Sequence, residues 1–302
     1  MTVAEIVELL DREGPLTGSE LMQRTHQEAL PLWRACRISD EIRYELVGRR
    51  YLRFDRAIDG WARLSPSIRR EFLTYTVLGN VDQDVAVIER ANKLAKESDR
   101  TSRLKSYIAR DVMASTLAEL GMGHPLAGKV TVIIAGDVVY RMAHAVPRLE
   151  SSTGQMVRGS DLDVIVVAAD DFPEGALRQL DLAIYRRKHY ILFNSSYRQE
   201  IDYVLKCVAK VREQLRFDTF EHCVASKILY EGEMLCGSRE LFDLIKELVE
   251  ESGVPGKIAA LERRAADDRA IAEEYLLSSN VDKPTGKYFD LFYTREEHDE
   301  IY

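Results

Sequence analysis

The chain has 302 residues, 46% of them hydrophobic, and a formal charge of −8. That length predicts about two or three domains. The apolar content suffices for sizeable cores, and the acidic balance excludes a globally basic nucleic-acid binder while leaving room for local basic patches. Cys36, Cys207, Cys223 and Cys236 have no Cys-x-x-Cys spacing, and the six histidines have no metal-ligand spacing. Reduced thiols in a cytoplasm follow from that usage. No apolar run approaches ~18 residues, and the first residues lack a basic flank and an apolar core, so neither a membrane span nor a secretion signal is expected. The expected location is cytoplasmic, without a membrane partner.

In chain order, Thr2 and Glu5 form a capping box ahead of a helix bearing Ile6, Leu9 and Leu10, stopped by Gly14-Pro15. A second short helix starts at Ser19 with Leu21 and Met22, and a third runs from about Glu28 to Ile38, with Pro31 limiting its start. Ile42–Val47 and Tyr51–Asp55 alternate as strands around Gly48-Arg49-Arg50, which predicts a hairpin. Three short helices and a hairpin resemble a winged helix-turn-helix, assigned to residues 1–64. Its cations Arg34, Arg37, Arg43, Arg49, Arg50, Arg53 and Arg56 fall on the third helix and the wing. Arg34, Arg37, Arg49, Arg50 and Arg53 are the candidate DNA contacts, because arginine there suits phosphate and groove recognition. Asp40, Glu41, Glu45 and Asp55 dilute the patch, and a packing or partner module is the alternative.

Residues 65–124 read as a helical connector. Ile68, Phe72 and Leu73 form one stripe; Val85, Ile88, Ala91 and Leu94 form a second; Ser102–Leu120 is a third helix with Gly121 as its C-cap. Arg103, Lys105 and Arg110 are expected on its solvated face.

Residues 125–235 carry the chemistry. Val130–Ile134 is a β-branched strand followed by Ala135-Gly136-Asp137, and Gly159-Ser160 precedes Asp161-Leu162-Asp163 at the head of a second strand reaching Ala168. Strand alternation puts the Asp161 and Asp163 carboxylates on one face. Two parallel carboxylates call for a hard cation, with Mg²⁺ the usual choice. A helix is predicted over Ala176–Arg187. Tyr190–Phe193 and Gln199–Leu205 are predicted as two strands joined by the turn Asn194-Ser195-Ser196.

A strand ending in Gly, a variable segment, then Ser-Asp-x-Asp heading a second strand resembles the polymerase-β-like nucleotidyltransferases, over roughly Val130–Asp202. The resemblance implies an α/β core (α+β for the whole chain), with a mixed sheet and flanking helices between a winged-helix domain and a helical C-terminal part. It implies that Gly136 opens the phosphate-binding turn, that Gly159-Ser160 supports it, and that Asp161 and Asp163 hold Mg²⁺ or Mn²⁺. Asp137 stands where the family usually has Ser, and a carboxylate beside a triphosphate is unfavourable unless a metal shields it. A third carboxylate on a neighbouring strand is implied: Asp202 as ligand and general base, with Glu200 as its rival two residues away. Lys227, late in the helix predicted from Phe217 to Leu229, is the candidate triphosphate contact, a snorkelling surface lysine being the alternative. The implied reaction is transfer of a nucleotidyl group from a nucleoside triphosphate, such as ATP, to a hydroxyl of a protein, RNA or small molecule, as in toxin-like or defence enzymes.

Two other functions compete. One is a DNA-binding regulator whose transferase fold binds nucleotide without turnover. The other is an Asp-x-Asp nucleotide-sugar glycosyltransferase, against which Asp170 and Asp171 read as turn and cap residues. Residues 236–302 complete the chain with helices from Ser238 and from Ile258 to Leu277, then a tail bearing Tyr288, Phe289, Phe292 and Tyr293 that docks on the body or on a partner.

Overall fold

A computed structural model describes residues 2–120, 126, 128–278 and 287–294, and shows a mixed α and β protein with several small sheets. Its described residues form two compact units, one drawn from 2–97 and 260–294, the other from 98–259.

The first unit opens with α1 (Val3–Glu13), β1 (Leu16–Thr17), α2 (Gly18–Thr25) and α3 (Ala29–Ile38). Capping boxes start α1 and α2: Thr2 with Glu5, as the sequence predicts, and Thr17 with Glu20. Then follow β2 (Ile42–Leu46), β3 (Tyr51–Phe54), β4 (Ala62–Ser65), α4 (Ile68–Tyr75) and β5 (Thr76–Asn80). The expected hairpin between residues 42–47 and 51–55 does not form. Both segments are strands, but β2 pairs with β5 (Ile42↔Asn80 to Leu46↔Thr76) and β3 pairs with β4 (Tyr51↔Ser65 to Phe54↔Ala62). The reason lies in burial: β5 is buried along its whole length and takes the middle of the β1-β5-β2 sheet, while half-exposed β2 suits its edge. Alternation marks a strand without naming its partner.

From β5 the chain enters α5 (Asp84–Glu119), one continuous helix where two were predicted. The polar stretch Ser98–Ser102 offers no apolar stripe, but it contains no breaker. Ser102 Oγ donates to the Ser98 carbonyl at 2.8 Å, and Asp99 pairs with Arg103 at 2.9 Å. The predicted C-cap at Gly121 lies outside the described residues.

The second unit continues through β6 (Val130–Ile134), β7 (Pro147–Leu149), β8 (Met156–Arg158), β9 (Leu162–Ala168), α6 (Glu174–Phe193) and β10 (Ile201–Cys207). Next come α7 (Val208–Gln214), α8 (Phe220–Glu231), β11 (Glu233–Gly237) and α9 (Arg239–Glu251). Its main sheet has the order β10-β9-β6-β11, parallel only between β9 and β10. Leu162, Val164, Val166 and Ala168 alternate onto one face with Val130, Val132 and Ile134. That face packs on Ala109, Val112 and Met113 of α5 and on Leu180, Ile184 and Ile191 of α6.

The strand predicted at Tyr190–Phe193 is instead the last turn of α6. β-branched and aromatic content suggested a strand, but buried Leu180, Ile184, Ile191 and Leu192 keep helical spacing through the segment, and packing overrides local preference. Consequently β10 follows β9 through a helical crossover and lies parallel to it.

Finally α10 (Val254–Ser278) and α11 (Lys287–Phe292) follow. Ala272, Leu276, Leu291 and Phe292 belong to the first unit's core, where the Phe292 ring meets Trp33 edge-on at 5.7 Å. The tail therefore docks on the body through its described part. Among the described residues no helix is long and apolar enough to cross a membrane.

Candidate functional site

β9 carries the two aspartates. Asp163 lies within the strand and Asp161 just ahead of it, both half-buried. On the neighbouring strand Asp202 is the register partner of Asp163, which places their backbones about 4.8 Å apart. The turn after β6 closes onto this pair. The Ala135 N–H donates to the Asp163 carbonyl at 3.0 Å, and Gly136 follows at φ +71°. A Cβ on Gly136 would stand 2.3 Å from Asp163 Oδ2, so only glycine admits the carboxylate there.

The two glycine turns meet although 23 residues separate Asp137 from Ser160. Ser160 Oγ donates to Asp137 Oδ2 at 3.0 Å and accepts the His144 N–H at 3.3 Å. Gly159, at φ +63°, lies so near the His144 carbonyl that a Cβ would fall 1.8 Å from its oxygen. Asp137 thus accepts a bond from the Ser160 hydroxyl and ties one turn to the other.

Lys105 is the residue that sequence reading misplaced. Expected on a solvated face, it is 2% exposed, and its Nζ donates to the Arg158 carbonyl at 2.7 Å and to the Ser160 carbonyl and Gln199 Oε1 at 2.5 Å each. It thereby pins the segment leading into Asp161. Burial pulls its ammonium down to about 8, opposed by the nearby charge of Asp161. Because the folded value lies below the free-lysine value, the unfolded chain binds more protons between the two. Wild-type stability relative to a Lys105→Met variant is therefore expected to rise by about 3 kcal/mol between pH 8 and 10.5, as read from urea unfolding of both proteins across that window.

Glu200, the rival third carboxylate, is committed elsewhere. It is buried, and its Oε2 accepts from Arg148 Nη2 at 2.6 Å, while Arg148 Nε donates to the Gly159 carbonyl at 3.0 Å. Burial raises the Glu200 pKa; Arg148 opposes the shift, and the charges of Asp202 and Asp161 reinforce it. Asp202 is half-exposed and pairs with Lys188 of α6 at 2.8 Å.

Lys227 is not a snorkelling surface side chain. It is buried, pairs with Glu231, and its Nζ lies 5.1 Å from the Tyr140 ring centre. Glu231 also accepts the Gly136 N–H at 3.1 Å and the Tyr140 hydroxyl. Lys227 therefore acts on the turn through Glu231.

Asp163, Asp202, Tyr203 and Val204 line a cleft of about 830 Å³ at the sheet edge, together with Arg178, Asp181, Tyr185 and Lys188 of α6. Sites for drug-sized ligands span roughly 300–1,000 Å³, and the cleft falls within that range. Among the described residues no group of three or more His, Cys, Asp or Glu side chains stands ready to hold a metal ion. Asp170 accepts the Ala209 N–H at 2.7 Å at the start of α7, and Asp171 pairs with Lys129 at 2.6 Å.

In the first unit, Arg50 grips Glu71 through Nε and Nη2 (2.7 and 2.8 Å) and reaches Glu273 at 3.2 Å. Arg34 donates to the Leu276 carbonyl, and Arg37 lies over the Tyr44 ring at 4.7 Å. Arg49 is exposed and Arg53 half-buried.

No protein-family model matches this chain, and no curated protein matches it.

Proposed function

We propose that the 98–259 unit is a metal-dependent nucleotidyltransferase that moves a nucleoside monophosphate from a triphosphate to a hydroxyl of a protein, RNA or small molecule. The observation that carries this is the parallel register of Asp202 with Asp163 beside the Gly136 turn. The donors are all carboxylate oxygens, which suit Mg²⁺ or Mn²⁺. Gly136 also leaves the space over Asp163 free of a side chain.

Asp161 and Asp163 would hold the metal, and Asp202, which pairs with Lys188 and is not grouped with them as a ready site, would join as third ligand on leaving Lys188. A bound divalent ion supplies neutralisation of the charge on the transferring phosphate. Asp202 would accept the proton of the acceptor hydroxyl as that oxygen bonds to the α-phosphorus and the bond to the leaving pyrophosphate breaks. Lys188 balances the Asp202 charge until a substrate arrives and offers a cation at the cleft edge. Gly136, Asp137, Gly159 and Ser160 shape the turn, and Lys105, Arg148 and Glu231 hold its backbone. Positioning and electrostatics are the protein's main contributions to such a transfer.

Lys188 also competes with a cation for Asp202. A partly exposed pair of this kind is worth about 0.2–1 kcal/mol, so Lys188→Met is expected to tighten Mn²⁺ binding by up to about fivefold in calorimetry. Unchanged or weaker binding would remove Asp202 from the ligand set.

The test of the function is incubation with each α-³²P nucleoside triphosphate, Mg²⁺ or Mn²⁺, and total RNA or lysate as acceptor pool. Label in a macromolecule, lost in Asp161→Asn and Asp163→Asn, supports a transferase and names its nucleotide; no label and no pyrophosphate in any condition would overturn it. For the first unit, three helices with the β1-β5-β2 sheet support a winged-helix module. DNA contact through its arginines is part of the proposal, tested by retention on DNA at low salt.

A further inference from the structure

The outward face of α6 gathers rings and cations. Leu182, Tyr185, Tyr190 and Phe193 are each more than half exposed. Tyr185, His189 and Phe193 recur every fourth residue, so their rings form a ladder along one side of the helix. Tyr185 and His189 meet edge-on at 4.6 Å, and His189 and Phe193 lie 5.9 Å apart with planes within 4° of parallel. Arg178, Leu182 and Arg186 fall on the same arc by helical spacing. Just past the helix, Tyr197 approaches Tyr190 at 6.2 Å, and the carbonyl of exposed Arg198 accepts the N–H of exposed Arg158.

This helix carries Arg178, Arg186, Arg187 and Lys188 against its own Glu174 and Asp181, and Glu119 and Asp202 pair with two of the cations, so acids and bases are even there. Arg178 pairs with Glu174 at 2.5 Å, Arg187 with Glu119, and Lys188 with Asp202. Flat faces flanked by exposed Arg186 and, past the helix, exposed Arg158 and Arg198 match a polyanion whose bases are open for stacking, and a duplex hides those faces.

We propose that this face of α6 binds single-stranded nucleic acid, with bases stacked on Tyr185, His189 and Phe193 and phosphates met by Arg178, Arg186 and Arg198. From residue 178 to 193 the stripe is about 23 Å long. Arg178 and Tyr185 also line the Asp163/Asp202 cleft, so a bound strand leads its end toward the aspartates. A role for that strand as acceptor rests on the transferase assignment; binding on the stripe does not.

The test uses the full chain without triphosphate and fluorescence anisotropy of labelled oligonucleotides of about 12 nucleotides: poly-U RNA, poly-T DNA and a blunt duplex. Wild type is expected to bind the single strands better than the duplex, and the RNA and DNA arms identify the natural source. Tyr185→Ala/Phe193→Ala is expected to weaken single-strand binding at least about tenfold, and Arg178→Ala/Arg186→Ala to flatten its salt dependence. As an independent readout in a conservative variant, Phe193→Trp emission should be quenched by oligonucleotide. Asp163→Asn should lose transfer and keep binding, which separates failure of the catalytic proposal from failure of this one. No binding by wild type, equal binding by a folded double ring variant, or duplex preference would overturn the proposal.

Discussion

Asp163→Asn is expected to transfer about 10²–10³-fold less label than wild type, the loss typical of removing one charge-stabilising group from an active site. The substitution keeps the shape of the side chain and leaves untouched the Asp163 carbonyl that accepts from Ala135. It also respects the space beside Gly136, where the carboxylate lies too close for any Cβ. What it removes is one negative charge at the position in register with Asp202. Asp170→Asn is the matched control, because Asp170 caps α7 and should leave transfer unchanged. Wild-type labelling by Asp163→Asn would place the reaction elsewhere. Equal losses in both variants would point to folding, which thermal unfolding of the two proteins would reveal.

Glu200→Leu should carry the largest stability cost. Its side chain and that of Arg148 are only 9% and 8% exposed, and they are bonded at 2.6 Å. Removing one partner of such a buried pair costs about 3–5 kcal/mol. At roughly 2–4 °C per kcal/mol for a unit of this size, Tm should fall by roughly 6–20 °C. The double variant Arg148→Met/Glu200→Leu should recover most of that loss, since exchanging a whole buried pair for apolar groups is often close to neutral. Recovery of stability need not restore function: Arg148 also holds the Gly159 carbonyl, two residues ahead of Asp161. Equal Tm values for Glu200→Leu and wild type would show the pair to be solvated.

Much of the candidate site was legible because its signals are local. β-branched runs mark β6 and β9, and Gly136 and Gly159 mark turns that no other residue fits. Asp202 could be named from chain order, but its register against Asp163 came from an unexpected route, a helix continuing through Phe193 where a strand was predicted. Lys105 and Arg148 were missed for a common reason. A charged side chain reads as solvated, and what buries these two lies far along the chain: acceptors 53 to 94 residues from Lys105, and a carboxylate 52 residues from Arg148.

The same division runs through the first unit. Capping boxes and apolar stripes specify where α1, α2 and α3 lie, because they depend on side chains three or four residues apart. The partners of β2 and β3 did not follow from their own residues. Strand periodicity encodes which face is buried, while pairing depends on which other strands are covered, and here β5 and β4, both buried throughout, take β2 and β3. Short-range chemistry is written in the order of the residues; long-range pairing and the burial of charge emerge only when distant segments compete for the same neighbours.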